Sequence, residues 1–193
     1  MADDKRRDTI QQYVGDMVSL EGHIEQALDS QMGSFQDDPQ FGQYIRLFHG
    51  AVKQHRDQLR DHLKTLGGSE THPVKEGVST LFGLAAGAID KLRSERLAKA
   101  LRDDYTVFNL AAIGYTMLHT TALALGYQET AQIAERYLRD YASFVQQINQ
   151  FIPDVVLDDF GPDVPVQNRS APELTRQMAN EVWRSTSPGH AAA

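Results

Sequence analysis

The sequence predicts an all-α protein: a four-helix bundle with a short helix in one long crossover and a C-terminal extension. Three observations carry this. Four stretches repeat apolar residues at steps of three and four, the period of a helix that buries one face. The second and third stretches lie about 25 residues apart, enough for a connection that spans the bundle. No stretch alternates at the strand period of two.

The first helix is expected over residues 8–29, with Asp8 as N-cap and Gln11 three residues on. Ile10, Val14, Met17, Glu21, Ile24 and Leu28 form its seam, and Glu21 is a carboxylate in the middle of it. Asp38-Pro39 should open the second helix, since proline's missing N–H costs nothing in a first turn. Its stripe is Phe41, Ile45, Phe48, Val52, His55, Leu59, His62 and Leu66, and Gly67-Gly68 should end it. A shorter, glycine-containing helix is expected over residues 74–89.

The third long helix should begin near Asp90 with a charged, solvated section and end at Gly126. Its stripe is Leu97, Leu101, Tyr105, Phe108, Ala112, Tyr115, Leu118 or His119, Ala122 and Leu125. The fourth should run from Gln128 to about Phe151, where Pro153 ends it. Its seam is Ala131, Ala134, Leu138, Tyr141, Val145, Ile148 and Ile152. Residues 1–152 would thus form the bundle and residues 153–193 an extension holding five of the seven prolines. Within that extension Ser170-Ala171-Pro172-Glu173 is a capping box, predicting a short helix to about Arg184. Leu174, Met178, Val182 and Trp183 would be its apolar face, and the last nine residues are expected to be disordered.

Composition narrows the function classes. The chain has 193 residues, 41% hydrophobic and 23% charged, the range of one globular unit. Its formal net charge of −7 argues against a nucleic-acid surface, which concentrates Lys and Arg. There is no cysteine, so any metal site must use carboxylates and histidines. The N-terminus has no apolar run behind its charges, and no apolar region approaches the roughly 20 residues of a bilayer span. A cytoplasmic protein is therefore expected, with no membrane role. GxSxG, P-loop and GxGxxG motifs are all missing.

A bundle with one long crossover has ferritin-like topology, which raises the question of a di-metal site. Such a site takes a Glu from each of two helices and a Glu-x-x-His from each of the others. The first helix supplies Glu21 and the second His55, but Val52 stands three residues before that histidine. The third presents Phe108, Ala111, Ala112 and Tyr115 at core depth. The fourth has Glu135 and Asp140 beside its seam, with no histidine three residues after either. Two readings stay open. Glu21 and His55 form a buried polar pair with each other or with Tyr105, Tyr115 or Tyr141, as buried polar groups require. Alternatively, Glu21, His55, Glu135 and Asp140 bind iron or manganese.

The helical order, Leu20-Glu21-Gly22-His23-Ile24, the His55 to Leu59 section and the Ala112, Tyr115, Leu118, Ala122, Leu125-Gly126 pattern resemble the YciE/YciF type of ferritin-like bacterial proteins. The resemblance covers residues 8–152. It implies a stress-associated ferritin-like domain of undefined activity, whose better-preserved members look like di-metal proteins. Glu21 falls on the family's first-helix glutamate and His55 near its second-helix ligand. Phe108, Ala111 and the Asp140-Tyr141 pair stand where the family has glutamates, and Gly50-Ala51 replaces an acidic pair. The departures fall on ligand positions and spare packing positions. The expectation is a non-catalytic bundle without a cofactor, forming a homo-oligomer or meeting a protein partner through the C-terminal segment. The alternative is an iron- or manganese-binding protein. A third reading makes residues 74–89 a lipid- or partner-binding element.

Overall fold

The computed structural model describes residues 2–35, 37–39, 41–69 and 97–185. These form α1 (Ala2–Phe35), α2 (Gly42–Thr65), α3 (Leu97–Leu125), α4 (Gln128–Asp158) and α5 (Ala171–Ser185), with no strand among the described residues. The helix expected over 74–89, the charged start of the third helix at 90–96 and residues 186–193 of the tail lie outside them. None of the described helices is long and apolar enough to cross a membrane.

The direction of each helix follows from which residues meet. Gln11 Nε2 donates to the Leu66 carbonyl at the end of α2 (2.6 Å), so α1 and α2 are antiparallel. Gln31, late in α1, meets Asp104, early in α3, and Arg6 meets the Leu125 carbonyl, so α1 and α3 are antiparallel too. Ser69 and Leu97 consequently lie at opposite ends of the bundle, the arrangement expected of a long crossover. α3 packs most extensively on α4, α1 joins the two hairpins through α3, and α2 and α4 meet only sparsely. α5 packs on α4.

Every seam residue predicted for α1 is buried, Glu21 included. So is the α2 stripe through His62, with Leu63 rather than Leu66 completing it. Two helices bury most of their predicted stripe, including Leu101, Phe108, Tyr115 and Leu118 in α3 and Ala134, Tyr141 and Ile148 in α4, but differ from it at a few positions. In α3 the core takes Asp104 and Ala111 instead of Tyr105 and Ala112. In α4 it takes Tyr137 and Phe144 instead of Leu138 and Val145. Phe144 thereby joins Phe48 of α2 and Phe108 of α3 in one aromatic cluster, with ring centroids 4.9 to 5.5 Å apart.

The helix ends differ from expectation where packing or caps outweigh local signals. α1 is longer at both ends. Asp3 and Asp4 sit favourably in its first turn, and Gln31 is buried near its end. Asp38 Oδ1 accepts the Phe41 N–H (2.9 Å), yet regular helix begins only at Gly42. Pro153 does not end α4, contrary to expectation, and lies inside it. An interior proline costs about 3 kcal/mol. Beyond it, however, Val155 is buried in the core and Asp159 Oδ2 accepts the Ala98 N–H near the start of α3 (3.1 Å). Those contacts hold the last turns in place. α5 begins where the capping box predicts, but the box is not closed. Glu173 accepts from Gln177 Nε2 (2.8 Å), and the Ser170 N–H donates to Asn168 Oδ1 (2.9 Å).

α3 stops at Gly126, whose φ of 80 lies in the left-handed region. The next N–H, of Tyr127, reaches back to the Ala122 carbonyl (2.8 Å), a Schellman closure. A Cβ there would be strained and would meet Arg6 Nη2 at 3.4 Å. Gly126→Ala is expected to cost about 1 kcal/mol, read as a lower urea midpoint. An unchanged midpoint would show that this turn does not need glycine.

Candidate functional site

Glu21 sits at mid-height of α1 with 0% exposure. A carboxylate so placed needs donors, and the facing helices supply two. The Tyr115 hydroxyl of α3 donates to Glu21 Oε1, and the Tyr141 hydroxyl of α4 donates to Oε2 (2.6 Å). Burial and the Glu21 charge push both phenols well above their ordinary range, so they remain donors. The two rings stack with centroids 5.8 Å apart.

His55 of α2 approaches from the other side. Asp140 accepts only, so His55 Nε2–H donates to Asp140 Oδ2 (3.0 Å), at the half-exposed rim. The ring stacks on Tyr137 at 3.9 Å. The Tyr137 hydroxyl donates in turn to Gln58 Oε1 (2.5 Å), and burial raises that phenol to about 12. His55 Nδ1 is buried without a hydrogen bond, 3.7 Å from Glu21 Oε1. The result is a line from rim to centre: Asp140, His55, Glu21 and the two tyrosines. Lower on the same α2–α4 side, His62 Nε2 pairs with Thr130 Oγ1 (2.8 Å), and burial lowers that imidazole's pKa.

Of the four residues predicted as ligands, three are brought together and one is not. Glu135 is half exposed and accepts from Arg139 Nη2 (2.5 Å), which holds its carboxyl below the usual range. Nor do the other three surround one point, because Glu21 and Asp140 face opposite nitrogens of His55. The polar pair is realised in a modified form. Glu21 bonds to Tyr115 and Tyr141, while its distance to His55 exceeds hydrogen-bond range.

This donor set does not fit a two-ion centre. Both Glu21 oxygens receive phenol protons, only one His55 nitrogen faces inward, and Phe108 and Ala111 occupy the depth where α3 would present carboxylates. The cleft between α4 and α5, of about 250 Å³, offers no acid–base chemistry either. Ile152, Pro153, Val156, Leu157, Phe160, Ala171, Pro172 and Thr175 line it, none of them ionisable.

Two polar clusters escaped the sequence reading. Gln31 Nε2 donates to Asp104 Oδ1 (2.7 Å) across the buried α1–α3 seam. Gln31 Oε1 and Asp104 Oδ2 are both buried and without partners there. Burial drives the Asp104 carboxyl up to about 7, with Gln31 opposing and the Asp103 charge adding. The second cluster is Glu25, Asp29 and His49 on the outer α1–α2 flank. Its one sequence signal is the carboxylate pair four apart on α1.

Fold and site together define an all-α bundle whose central buried carboxylate is closed off by two tyrosines. The chain belongs to the family described as Domain of unknown function (DUF892), which it matches over residues 6–160. Its fold is similar to that of a solved protein from Xanthomonas campestris pv. campestris, with a TM-score of 0.66 and 18% identity. That likeness covers 81% of this chain and 96% of the other. No curated protein matches the chain.

Proposed function

We propose that the protein is a non-catalytic, stress-associated bundle of the bacterial cytoplasm that works by assembly, pairing with a second copy of itself through α5. The observation that carries this reading is the outer face of α5. Leu174, Met178 and Val182 are 54%, 55% and 49% exposed. They are four apart and therefore lie on one stripe. The opposite side of α5 is anchored, with Pro172 buried and Arg176 paired to Asp154 of α4. The stripe is thus held outward, and its residues are spaced symmetrically about Met178. An antiparallel copy sets Leu174 against Val182 and Met178 against Met178, so each apolar side chain gains an apolar neighbour. The tyrosine-closed centre supports the non-catalytic part of the reading. The association with stress rests on the resemblance to the YciE/YciF type.

Light scattering on the full chain tests this. The wild type is expected to run as a dimer or larger, and the Leu174→Ser/Met178→Ser/Val182→Ser variant as a monomer with unchanged helical circular dichroism. A monomeric wild type, or a variant of unchanged mass, would remove α5 as the assembly element.

A further inference from the structure

We propose that Glu25, Asp29 and His49 form a binding site for one borderline divalent cation, such as Zn²⁺ or Mn²⁺, which joins α1 to α2. Glu25 and Asp29 lie one turn apart on α1, and His49 faces them from α2. One ligand atom from each falls within 4.8 Å of the others. His49 Nε2 is already 2.7 Å from Asp29 Oδ1. Two carboxylates and an imidazole suit a borderline cation, with water completing its shell.

A second observation is independent of that spacing. Glu25 is only 7% exposed, and its Oε2 makes no hydrogen bond. Arg56 Nη1 lies against this oxygen as an ion pair, but Arg56 Nε also lacks a partner. The buried carboxylate therefore has charge compensation without full hydrogen bonding. Through that ion pair Arg56 holds the ligating carboxylate as an outer partner. Towards solvent the trio opens gradually: the His49 and Asp29 side chains are 20% and 63% exposed. That gradient leaves a path for the ion and room for its waters. The site is on the flank of the bundle. It is separate from the Glu21 centre and independent of assembly through α5.

Tag-free full-length protein titrated with ZnCl₂, and separately with MnCl₂, tests the site by calorimetry and thermal melting. The expected result is one ion per chain, a rise in melting temperature, and more than tenfold weaker binding in both Asp29→Asn and His49→Gln. Those two variants should melt like the wild type without added metal, since both residues are at or near the surface. Asp140→Asn, which alters the His55 rim, should bind as the wild type does. No saturable binding at millimolar metal would overturn the proposal. So would binding undiminished in Asp29→Asn and His49→Gln, or binding lost in Asp140→Asn. The light-scattering mass of the metal-free wild type reports on assembly separately, so the two readings fail independently.

Discussion

Glu21→Ala will destabilise the protein by about 3–5 kcal/mol, the scale of removing one partner from a buried charged network. Two buried phenol hydroxyls, on Tyr115 and Tyr141, lose their acceptor at once. Nothing apolar replaces the missing carboxylate, so a small cavity adds to the loss. The distinguishing test is a rescue. In Glu21→Ala/Tyr115→Phe/Tyr141→Phe neither orphaned hydroxyl remains, so the triple variant should be more stable than Glu21→Ala alone. Purely additive losses would predict the opposite. Urea denaturation followed by circular dichroism gives both values. A Glu21→Ala midpoint close to that of the wild type would mean that the tyrosines find other acceptors and that the closed centre contributes little.

Raising the pH from about 4 to 7 should weaken the fold through Asp104. Its folded pKa is about 7 against an ordinary 3.8, so the folded state holds the proton more tightly than the unfolded chain. The contribution is fully present below the ordinary value and is lost as pH climbs through the folded one. A displacement of this size corresponds to roughly 4 kcal/mol. The geometry gives the reason. A proton on Asp104 Oδ2 supplies a donor in a pair where Gln31 Oε1 and that same oxygen are both without partners. Asp104→Asn provides an amide N–H at every pH, so it should flatten the slope and stabilise the protein above neutrality. Urea midpoints of wild type and variant between about pH 4 and 8 test this. Half-buried Asp16, raised to about 6, adds a smaller slope of the same sign, and His62 adds one of opposite sign at acid pH. Both cancel in the difference between wild type and variant. A constant difference across the range would show that Asp104 does not titrate in it.

The four long helices, their order and the α1 and α2 seams were legible because the helical period there is regular. Glu21 was legible for the same reason, as a carboxylate interrupting that period. In the α3 and α4 seams most positions were read correctly, but a few were read one residue off. In a helix with apolar residues on several sides, neighbouring positions differ by only 100°, and Tyr105 or Leu138 looks as good a core residue as Asp104 or Tyr137. Pro153 misled because a local breaker was opposed by Val155 and Asp159, whose contacts lie on other helices. The partners of Glu21 are 94 and 120 residues away. Periodicity names candidates for such pairs, but only the packed helices choose among them. The Glu25, Asp29 and His49 trio lay deeper still, since it needs the facing of α1 and α2 as well as their identities.

The sparse meeting of α2 with α4 has a mechanical consequence. The molecule is hinged like a book, with α1 against α3 as its spine and α2 against α4 as its fore-edge. At one end of the fore-edge Phe41, Tyr44 and Phe48 pack against Phe144 and Phe151, and the rest is fastened by three polar clasps: His55 with Asp140, Gln58 with Tyr137, and His62 with Thr130. Clasps of this kind exchange for water more readily than the aromatic contacts at the other end of that edge. Breathing of the bundle therefore starts at the clasped part of that edge, and the first groups that solvent reaches behind it are His55 and then Glu21.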